Sequence, residues 1–216
     1  APKIVSISAG YFVSAAVRSD GSLWTWGAGN ANREIGGYGW SQRLNYTAQC
    51  LGLAAGSYIE STPNLVFTES VKSVSCNTCE AFSNAGSFNY VGGTVMAVLR
   101  DDNTLWMWGA DAENHGVLGT GSTGNCWTPT KVLDDMVSYA TSGNYSAAIT
   151  SDGSLYMWGY NSYGQLGDGT TDSKNTPQKI MEDVAAVSVG KYFSAAIKDD
   201  GTLWMWGNNK YGQLGN

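Results

Sequence analysis

The stretch "DDGTLWMWGNNKYGQLG", residues 199 to 215, decides the fold because it holds the clearest copy of a motif that recurs along the chain. The motif occurs four times: "DGSLWTWG" at 20–27, "DNTLWMWG" at 102–109, "DGSLYMWG" at 152–159 and "DGTLWMWG" at 200–207. The final glycines of the last three copies are 50 and 48 residues apart, whereas 82 residues separate those of the first two. A period of this size indicates equivalent structural units packed in series, and the longer first spacing indicates inserted residues.

Composition narrows the class of protein. The chain has 216 residues, of which 43% are hydrophobic and only 14% are charged, so it predicts a compact globular fold. The net charge is −6 and no cluster of lysine or arginine is present, which argues against nucleic-acid partners. No apolar run reaches the roughly 18 to 20 residues that span a bilayer. We therefore expect no membrane insertion, and the lack of a charged and then apolar leader favours a mature or trimmed chain.

One unit is read most easily from residue 184 onward. The β-branched run 184–189 and the small-residue run "SAAIK" at 194–198 are typical of two short strands, and "TLWMW" at 202–206 is typical of a third. Asp200-Gly201 predicts the hairpin turn between the second and third strands. Asn103 replaces the glycine in the second copy, and asparagine also tolerates positive φ angles. The segment "PQKIMEDV" at 177–184 supplies an outer strand.

Alternation along the third strand predicts how the units assemble. Leu203 and Met205 share one face of that strand, while Trp204 and Trp206 share the other. Both faces are apolar, so each sheet needs a neighbour on both sides. Short sheets packed face to face around an axis form a β-propeller, with about 4 to 8 blades of four strands. We predict an all-β fold: a β-propeller of four-stranded repeats of about 50 residues, with four units in a single domain over 1–216 and insertions at about 38–62 and 76–93.

The repeat resembles a known family. The pattern "DGxLWxWGxNxxGQLGxG", followed by a proline, a basic residue and "GxxxSAA", is similar to the repeat of the regulator of chromosome condensation family. The resemblance covers essentially the whole chain outside the insertions. It implies a propeller, which has seven blades in the best-known members. With four units here, a closed small propeller and part of a larger, seven-bladed one both remain open.

The four cysteines, Cys50, Cys76, Cys79 and Cys126, fall outside the strands assigned above. An even number of cysteines in loops predicts two disulfides and an oxidising, extracellular setting, and three pairings are possible. A zinc site at Cys76-x-x-Cys79 with Cys50 or Cys126 is the alternative. It lacks the second closely spaced pair of ligands that structural zinc sites carry.

No catalytic arrangement emerges from the sequence. His115 is the only histidine, and nothing marks a nucleophile beside it. The segment "GDGTTDS" at 167–173 has too few carboxylates for a calcium loop, and no phosphate-binding loop is present. We expect no enzyme activity, no cofactor and no metal.

Aromatic residues in the connecting segments are the best candidates for a binding site. The turns "GYFVS" at 10–14, "GNYS" at 143–146 and "GKYFS" at 190–194 place aromatics at the same end of the units. They look like the turns of the secreted bacterial β-lactamase inhibitory protein built on this repeat. That likeness implies aromatic loop residues that anchor a protein interface, a role suited to tyrosine and tryptophan. The predicted partner-binding residues are Tyr11, Phe12, Trp40, Tyr145, Tyr160, Tyr192, Phe193 and Tyr211.

The sequence therefore predicts a non-catalytic protein-binding module of a bacterium, secreted or at the cell surface. One alternative is a carbohydrate-binding module that recognises a cell-wall or surface glycan through Trp40, Tyr38, Tyr58 or Trp127. The other is a guanine-nucleotide exchange factor for a small GTPase, which the family resemblance implies. The family commonly has histidine before the serine of the aromatic turn, and here that position is Val13, Tyr145 or Phe193. This departure and the acidic charge weigh against exchange activity.

Overall fold

The computed structural model describes residues 1–10, 13–27, 60–82, 90–111 and 113–216. These residues form fifteen β-strands in four antiparallel sheets. Blade 1 contains β1 (Ile4–Ala9), β2 (Val13–Arg18), β3 (Leu23–Gly27) and β4 (Glu60–Phe67). Blade 2 contains β5 (Val71–Phe82), β6 (Tyr90–Arg100), β7 (Leu105–Gly109) and β8 (Cys126–Leu133). Blade 3 contains β9 (Met136–Thr141), β10 (Tyr145–Thr150), β11 (Leu155–Gly159) and β12 (Lys174–Met181). Blade 4 contains β13 (Val184–Val189), β14 (Phe193–Lys198) and β15 (Leu203–Gly207).

The predicted β-propeller architecture is confirmed. Each blade is a meander in which consecutive strands pair, and its third strand is the "LWxWG" strand, which reads "LYMWG" in blade 3. We call the face that carries the two aromatic residues of this strand the front face, and the face that carries its leucine the back face. The front faces of blades 2, 3 and 4 each pack on the back face of the blade before. Leu105 and Met107 of blade 2 thus share a core with Ala148 and Trp158 of blade 3.

Burial at the interior blades agrees with the prediction that both faces are covered. In blade 2, Leu105 and Met107 on the back face are 1% exposed, and Trp108 on the front face is fully buried. Blade 4 differs. Its leucine, Leu203, is 64% exposed, and Trp204 is 53% exposed. The described residues include no further blade that would cover the back face of this last copy.

In each blade, the hairpin turn before the third strand has the predicted positive φ angle at one residue. The φ angle is 77° at Gly21, 60° at Asn103, 78° at Gly153 and 83° at Gly201. In blade 1, Arg18 N donates to Ser22 O and Gly21 N donates to Arg18 O, which gives a loop of four residues between β2 and β3. The residue with positive φ thus lies in a four-residue loop, which is longer than a two-residue hairpin turn.

The cysteines lie elsewhere than predicted. Cys76 and Cys79 are part of β5, and Cys126 begins β8. Cys76 is buried in the core between blades 1 and 2, and its thiol and that of Cys126 are free. β5 and β8 are opposite edges of one sheet, about 14 Å apart at 4.7 Å per strand, whereas a disulfide needs Cα atoms within about 7 Å. A bond between these two cysteines is excluded, and the loop placement of Cys76, Cys79 and Cys126 was wrong. Cys50 and the side chain of Cys79 lie outside the described residues.

The predicted insertion at 76–93 falls mainly on a β-ribbon. β5 and β6 pair from Val71 opposite Arg100 to Phe82 opposite Tyr90. β7 pairs with β6 only up to Val95, so the strands continue beyond the sheet as a two-stranded extension. Most of the insertion predicted at 38–62 lies outside the described residues.

Candidate functional site

An aromatic cluster joins three blades at one end of the propeller. His115 comes from the β7–β8 connection, Tyr160 and Tyr163 from the β11–β12 connection and Tyr192 from the β13–β14 turn. The ring centroids are 4.5 Å apart for His115 and Tyr160, 6.0 Å for Tyr160 and Tyr192, and 4.9 Å for Tyr163 and Tyr192. Tyr163 is 46% exposed, and the other three rings are half-buried. The cluster thus presents one continuous aromatic surface that no single blade could form.

The connection that carries Tyr160 and Tyr163 is held rigidly by Asn161. This side chain is fully buried. Its Nδ2 donates to Asp168 Oδ1, Thr170 O and Asp172 O, each at 3.1 Å, and its Oδ1 accepts the N–H of Leu166 at 2.9 Å. A connection tied by so many bonds loses little conformational freedom when a partner binds, which favours affinity.

Equivalent side chains hold the connections of the neighbouring blades. Asp111, which is 3% exposed, accepts the backbone N–H groups of His115 at 3.0 Å and Gly116 at 2.7 Å. In blade 4, Asn209 Oδ1 accepts the N–H of Leu214 at 2.9 Å. The sequence analysis missed this role. Its signal was present, because an Asp or Asn follows each of the last three "WG" pairs at the second position.

The predicted partner-binding residues do not lie together in the structure. Tyr160 and Tyr192 belong to the cluster. Tyr211 is 84% exposed but lies on the last connection, where Lys210 Nζ is 5.6 Å from its ring centroid. Phe193 is half-buried, and its ring covers Gly190. Tyr11, Phe12 and Trp40 lie outside the described residues.

Tyr145 corrects the sequence analysis. It was predicted to contact a partner, but it is fully buried in the core between blades 3 and 4. Its hydroxyl donates to Phe193 O and accepts from Ser194 Oγ. Burial raises its pKa above the usual tyrosine value. Tyr145 is therefore a residue of the core.

Two members of the cluster, His115 and Tyr163, were not predicted as binding residues. The sequence analysis considered His115 only as a catalytic residue. Tyr163 occupies the position in its connection that Tyr211 occupies in the next, so alignment of the repeats could have found it. What the sequence does not contain is the contact between Tyr163 and Tyr192, which come from different blades.

Charged groups of both signs border the cluster. His115 Nε2 is 3.3 Å from Glu113 Oε2, and Lys191 Nζ is 5.5 Å from the Tyr192 ring centroid. Burial raises the pKa of Tyr192, so its hydroxyl is protonated and can donate a hydrogen bond at neutral pH. An aromatic surface that carries tyrosine hydroxyls and is bordered by charged side chains is complementary to a protein surface of mixed polarity.

A polar cavity of about 320 Å³ adjoins the cluster at Lys191. It is lined chiefly by the β9–β10 turn, the end of β13 and the start of the β5–β6 extension, with Ser142, Asn144, Gly190, Asn77 and Thr78. The extension therefore projects from the same end of the propeller as the aromatic cluster.

The described residues hold no group of three or more His, Cys, Asp or Glu that could bind a metal ion. Asp168, in the segment considered for calcium, is 3.4 Å from Lys174 Nζ, and hydrogen bonds from Thr170 and Asn161 hold its pKa below the usual value although burial raises it. Trp127, a candidate sugar platform, packs against the core between blades 2 and 3. Tyr38, Trp40 and Tyr58 lie outside the described residues. Within the described part of the chain, no helix is long and apolar enough to cross a membrane.

The fold and the cluster define a β-propeller whose connections can serve as a binding surface. The sequence pattern of the regulator of chromosome condensation (RCC1) repeat matches residues 102–149 and 152–197, and a second pattern of the same repeat matches 4–33, 137–165 and 184–213. Together these ranges cover more than half of the chain. The protein belongs to the RCC1 repeat family.

Proteins that are similar in sequence and structure agree with this assignment. The chain is 29% identical over 160 residues to the human E3 ubiquitin-protein ligase HERC2, and the match covers 72% of the chain and 3% of HERC2. It is 30% identical over 160 residues to the mitochondrial RCC1 domain-containing protein RUG3 of Arabidopsis thaliana, covering 72% of the chain and 29% of RUG3. The crystal structure of Prp20p from Saccharomyces cerevisiae superposes with a TM-score of 0.61 at 18% identity, over 99% of this chain and 60% of that one. The chain thus spans less than two thirds of each of these proteins.

Proposed function

We propose that this protein is a non-catalytic binding module that recognises another protein through the aromatic cluster of His115, Tyr160, Tyr163 and Tyr192. The observation that carries the proposal is the contact of these rings across three blades. Tyrosines held by a rigid scaffold bury much area at low entropic cost, as anchors of protein interfaces do.

Membership of the family supports a protein partner. The structure of Prp20p is described together with its binding properties to Gsp1p and histones, and yeast RCC1 (Prp20) has a structure with Kap60 bound. These partners belong to those proteins. What we transfer is the kind of ligand, a protein surface.

Secretion or display at the surface of a bacterial cell is part of the proposal. Its support is the likeness of the aromatic turns to those of the secreted β-lactamase inhibitory protein. The free thiols of Cys76 and Cys126 lend it no support through disulfides. A glycan ligand has less support than a protein ligand, because Trp127 packs against the core.

Guanine-nucleotide exchange on a small GTPase is the second candidate function. The observation in its favour is the match to Prp20p, whose binding to Gsp1p is described. The position that is commonly histidine in the family is Tyr145 or Phe193 here, and the first is fully buried and the second covers Gly190. The residues at this position therefore support exchange activity less than the aromatic cluster supports protein binding.

The test replaces Tyr160, Tyr163 and Tyr192 together by alanine. We expect the affinity for a captured protein partner to fall at least about tenfold, because interface tyrosines are frequent hot spots. The measurement is quantitative capture from an extract of the source cells, followed by titration calorimetry with the purified partner. The matched control is Tyr211→Ala, which removes a more exposed tyrosine from the equivalent connection and should leave the affinity unchanged.

Two results would contradict the proposal. One is unchanged affinity of the triple variant for every captured protein, with its circular dichroism spectrum intact. The other is equal weakening by Tyr211→Ala. Faster release of fluorescent GDP from a purified small GTPase in the presence of the wild-type chain would favour the second function instead.

A further inference from the structure

The cavity that adjoins the aromatic cluster is lined mainly by groups that can donate hydrogen bonds. Its volume is about 320 Å³, and Lys191 is the only charged residue among the described residues that line it. The polar lining also includes Thr78 of the β5–β6 extension and Ser142 and Asn144 of the β9–β10 turn. Ammonium, hydroxyl and amide groups are all donors. Because no carboxylate of a described residue lines the cavity, its side chains favour an anionic ligand.

A second lysine–tyrosine pair shows what is particular to Lys191. Lys191 Nζ lies 5.5 Å from the ring centroid of Tyr192, and Lys210 Nζ lies 5.6 Å from the ring centroid of Tyr211. The two ammonium groups thus contact a neighbouring ring at nearly the same distance, but Lys210 does not line the cavity. Lys191 differs because the extension and the β9–β10 turn bring neutral donors to the same cavity.

The β9–β10 turn holds its part of the lining in a fixed position beside the cluster. Ser142 N donates to Tyr145 O at 3.1 Å, and Asn144 O accepts the N–H of Tyr160 at 3.0 Å. The side chain of Asn144 forms no hydrogen bond with any described residue, so its amide can donate to a ligand. The cavity and the cluster therefore share a wall that is ordered before a partner binds.

The charged groups at the two ends of the cluster have opposite signs. Glu113 Oε2 is 3.3 Å from His115 Nε2, and the rings of His115, Tyr160 and Tyr192 follow one another with centroids 4.5 and 6.0 Å apart. Lys191 lies beside the last of these rings. A bound segment thus meets a carboxylate at one end of the rings and an ammonium at the other. Charge complementarity directs an acidic side chain of that segment to the end with Lys191.

We propose that the cavity binds a carboxylate side chain of the partner protein, while the rings bind an apolar side chain two residues away from it. This inference rests on the proposed function and names the chemistry of the partner at the same surface. Alternate side chains of an extended segment lie on one face, about 6.6 to 7 Å apart. This spacing is close to the 5.5 Å between Lys191 Nζ and the centroid of the Tyr192 ring.

The charge of the lining favours a carboxylate over a phosphate. One lysine balances the single charge of a carboxylate, and the bonds between them are stronger than hydrogen bonds between neutral groups. Phosphate sites typically use arginines or the N-terminus of a helix. The described lining contains neither. The ligand class is therefore an Asp or Glu side chain.

The test compares two blocked tripeptides, N-acetyl-Asp-Gly-Trp-amide and N-acetyl-Asn-Gly-Trp-amide, each titrated into the nitrogen-15-labelled chain and followed by NMR. We expect the Asp peptide to bind at least about threefold more tightly, because hydrogen bonds to charged groups are stronger than those between neutral ones. It should shift the amide resonances of Asn144 and Lys191. Lys191→Met should remove this preference. Lys210→Met is the matched control and should keep it, because Lys210 has the same kind of tyrosine contact without the cavity.

A further variant separates the cavity from the effect of one lysine. Asn144→Ala removes an amide donor but no charge, so it should reduce the preference for the Asp peptide without abolishing it. An unchanged preference in this variant, or a preference that survives Lys191→Met, would overturn the inference. Inorganic phosphate that shifts the same resonances at lower concentration than the Asp peptide would overturn it in favour of a phosphate ligand.

The same titrations distinguish failure of this inference from failure of the proposed function. Equal affinity of the two peptides for the wild-type chain, lost in the triple alanine variant of Tyr160, Tyr163 and Tyr192, would overturn the carboxylate site and leave the aromatic binding surface standing. A preference for the Asp peptide that persists in the triple variant would contradict the role of the rings. Absence of any shift with either peptide would overturn the carboxylate site as well.

Discussion

At the scale of single residues, the second tryptophan of the repeated strand links blades 3 and 4 to the blade before each of them. Trp158 is fully buried, and its indole N–H donates to Val117 O of the blade before it. Gly119 of that blade has a φ angle of 67°, and a Cβ atom there would lie 2.7 Å from the indole nitrogen. The glycine of the "GxLG" segment is thus required by the close approach of the ring.

Trp158→Ala should lower the free energy of unfolding by about 3 to 5 kcal/mol, because it leaves a large cavity between two blades. Trp204→Ala is the control, since this tryptophan is 53% exposed, and it should cost about 1 kcal/mol or less. Urea denaturation measures both values. Equal losses for the two variants would contradict the assigned packing.

The mistaken assignment of Tyr145 also has a cause at this scale. Tyr145 precedes Ser146 directly, whereas Tyr192 is two residues before Ser194. Tyr145 therefore aligns with Phe193, and the shift of one residue moves a side chain from one side of a strand to the other. The motif predicted where the turns lie, but the choice between a buried and an exposed ring depended on this register.

At the scale of elements, a chain of hydrogen bonds explains why Asp, a hydroxyl residue and Trp recur around the hairpin turn. In blade 4, Trp204 Nε1 donates to Thr202 Oγ1 at 3.1 Å, and Thr202 Oγ1 donates to Asp200 Oδ1 at 2.6 Å. The same chain runs through Ser22 in blade 1 and Thr104 in blade 2. The sequence analysis predicted the turn but not this link between the turn and the strand that follows.

These hydrogen bonds predict that the stability of the folded chain depends on pH. The Thr202 hydroxyl, and then its backbone N–H, hold the pKa of Asp200 below the usual value. Because the folded state lowers this pKa, the stabilisation is present above the unfolded value of about 3.9 and is lost as the pH falls through the folded value. In Thr202→Val, which removes the hydroxyl, the pKa of Asp200 should rise toward the usual value.

Carbon-13 NMR titration of the Asp carboxyl groups measures this shift. Asp102 serves as the internal control, since Thr104 is unchanged and should still hold the pKa of Asp102 low. An Asp200 pKa that does not move in the variant would show that the hydroxyl is not its cause.

At the scale of the whole molecule, the repeat predicted the architecture because the strands of each blade pair with one another and its apolar faces need only a like neighbour. The aromatic cluster could not be predicted in the same way. Its rings belong to three blades, and Tyr163 and Tyr192 become neighbours only when two blades pack. The cysteines show a related limit, since Cys79 lies in the part of β5 that continues beyond the strand length seen in the other blades.

The free thiol of Cys76 bears on the compartment of the whole protein. The thiol is buried, and burial raises its pKa, so it should react with iodoacetamide much more slowly than Cys126 in the native chain. After unfolding without a reductant, both should be alkylated, as mass spectrometry of peptides would show. If Cys76 reacted only after reduction, it would be disulfide-bonded, and a disulfide would again support the prediction of an extracellular setting.

The β5–β6 extension distinguishes blade 2 from the other blades of this propeller. From Asn77 to Phe82 it rises about 20 Å at 3.3 Å per residue, and its far end pairs only strand to strand, outside the sheet. Because the extension projects from the same end of the propeller as the aromatic cluster, a partner that bound the cluster as we propose would meet the extension as well, which would make the extension a determinant of selectivity.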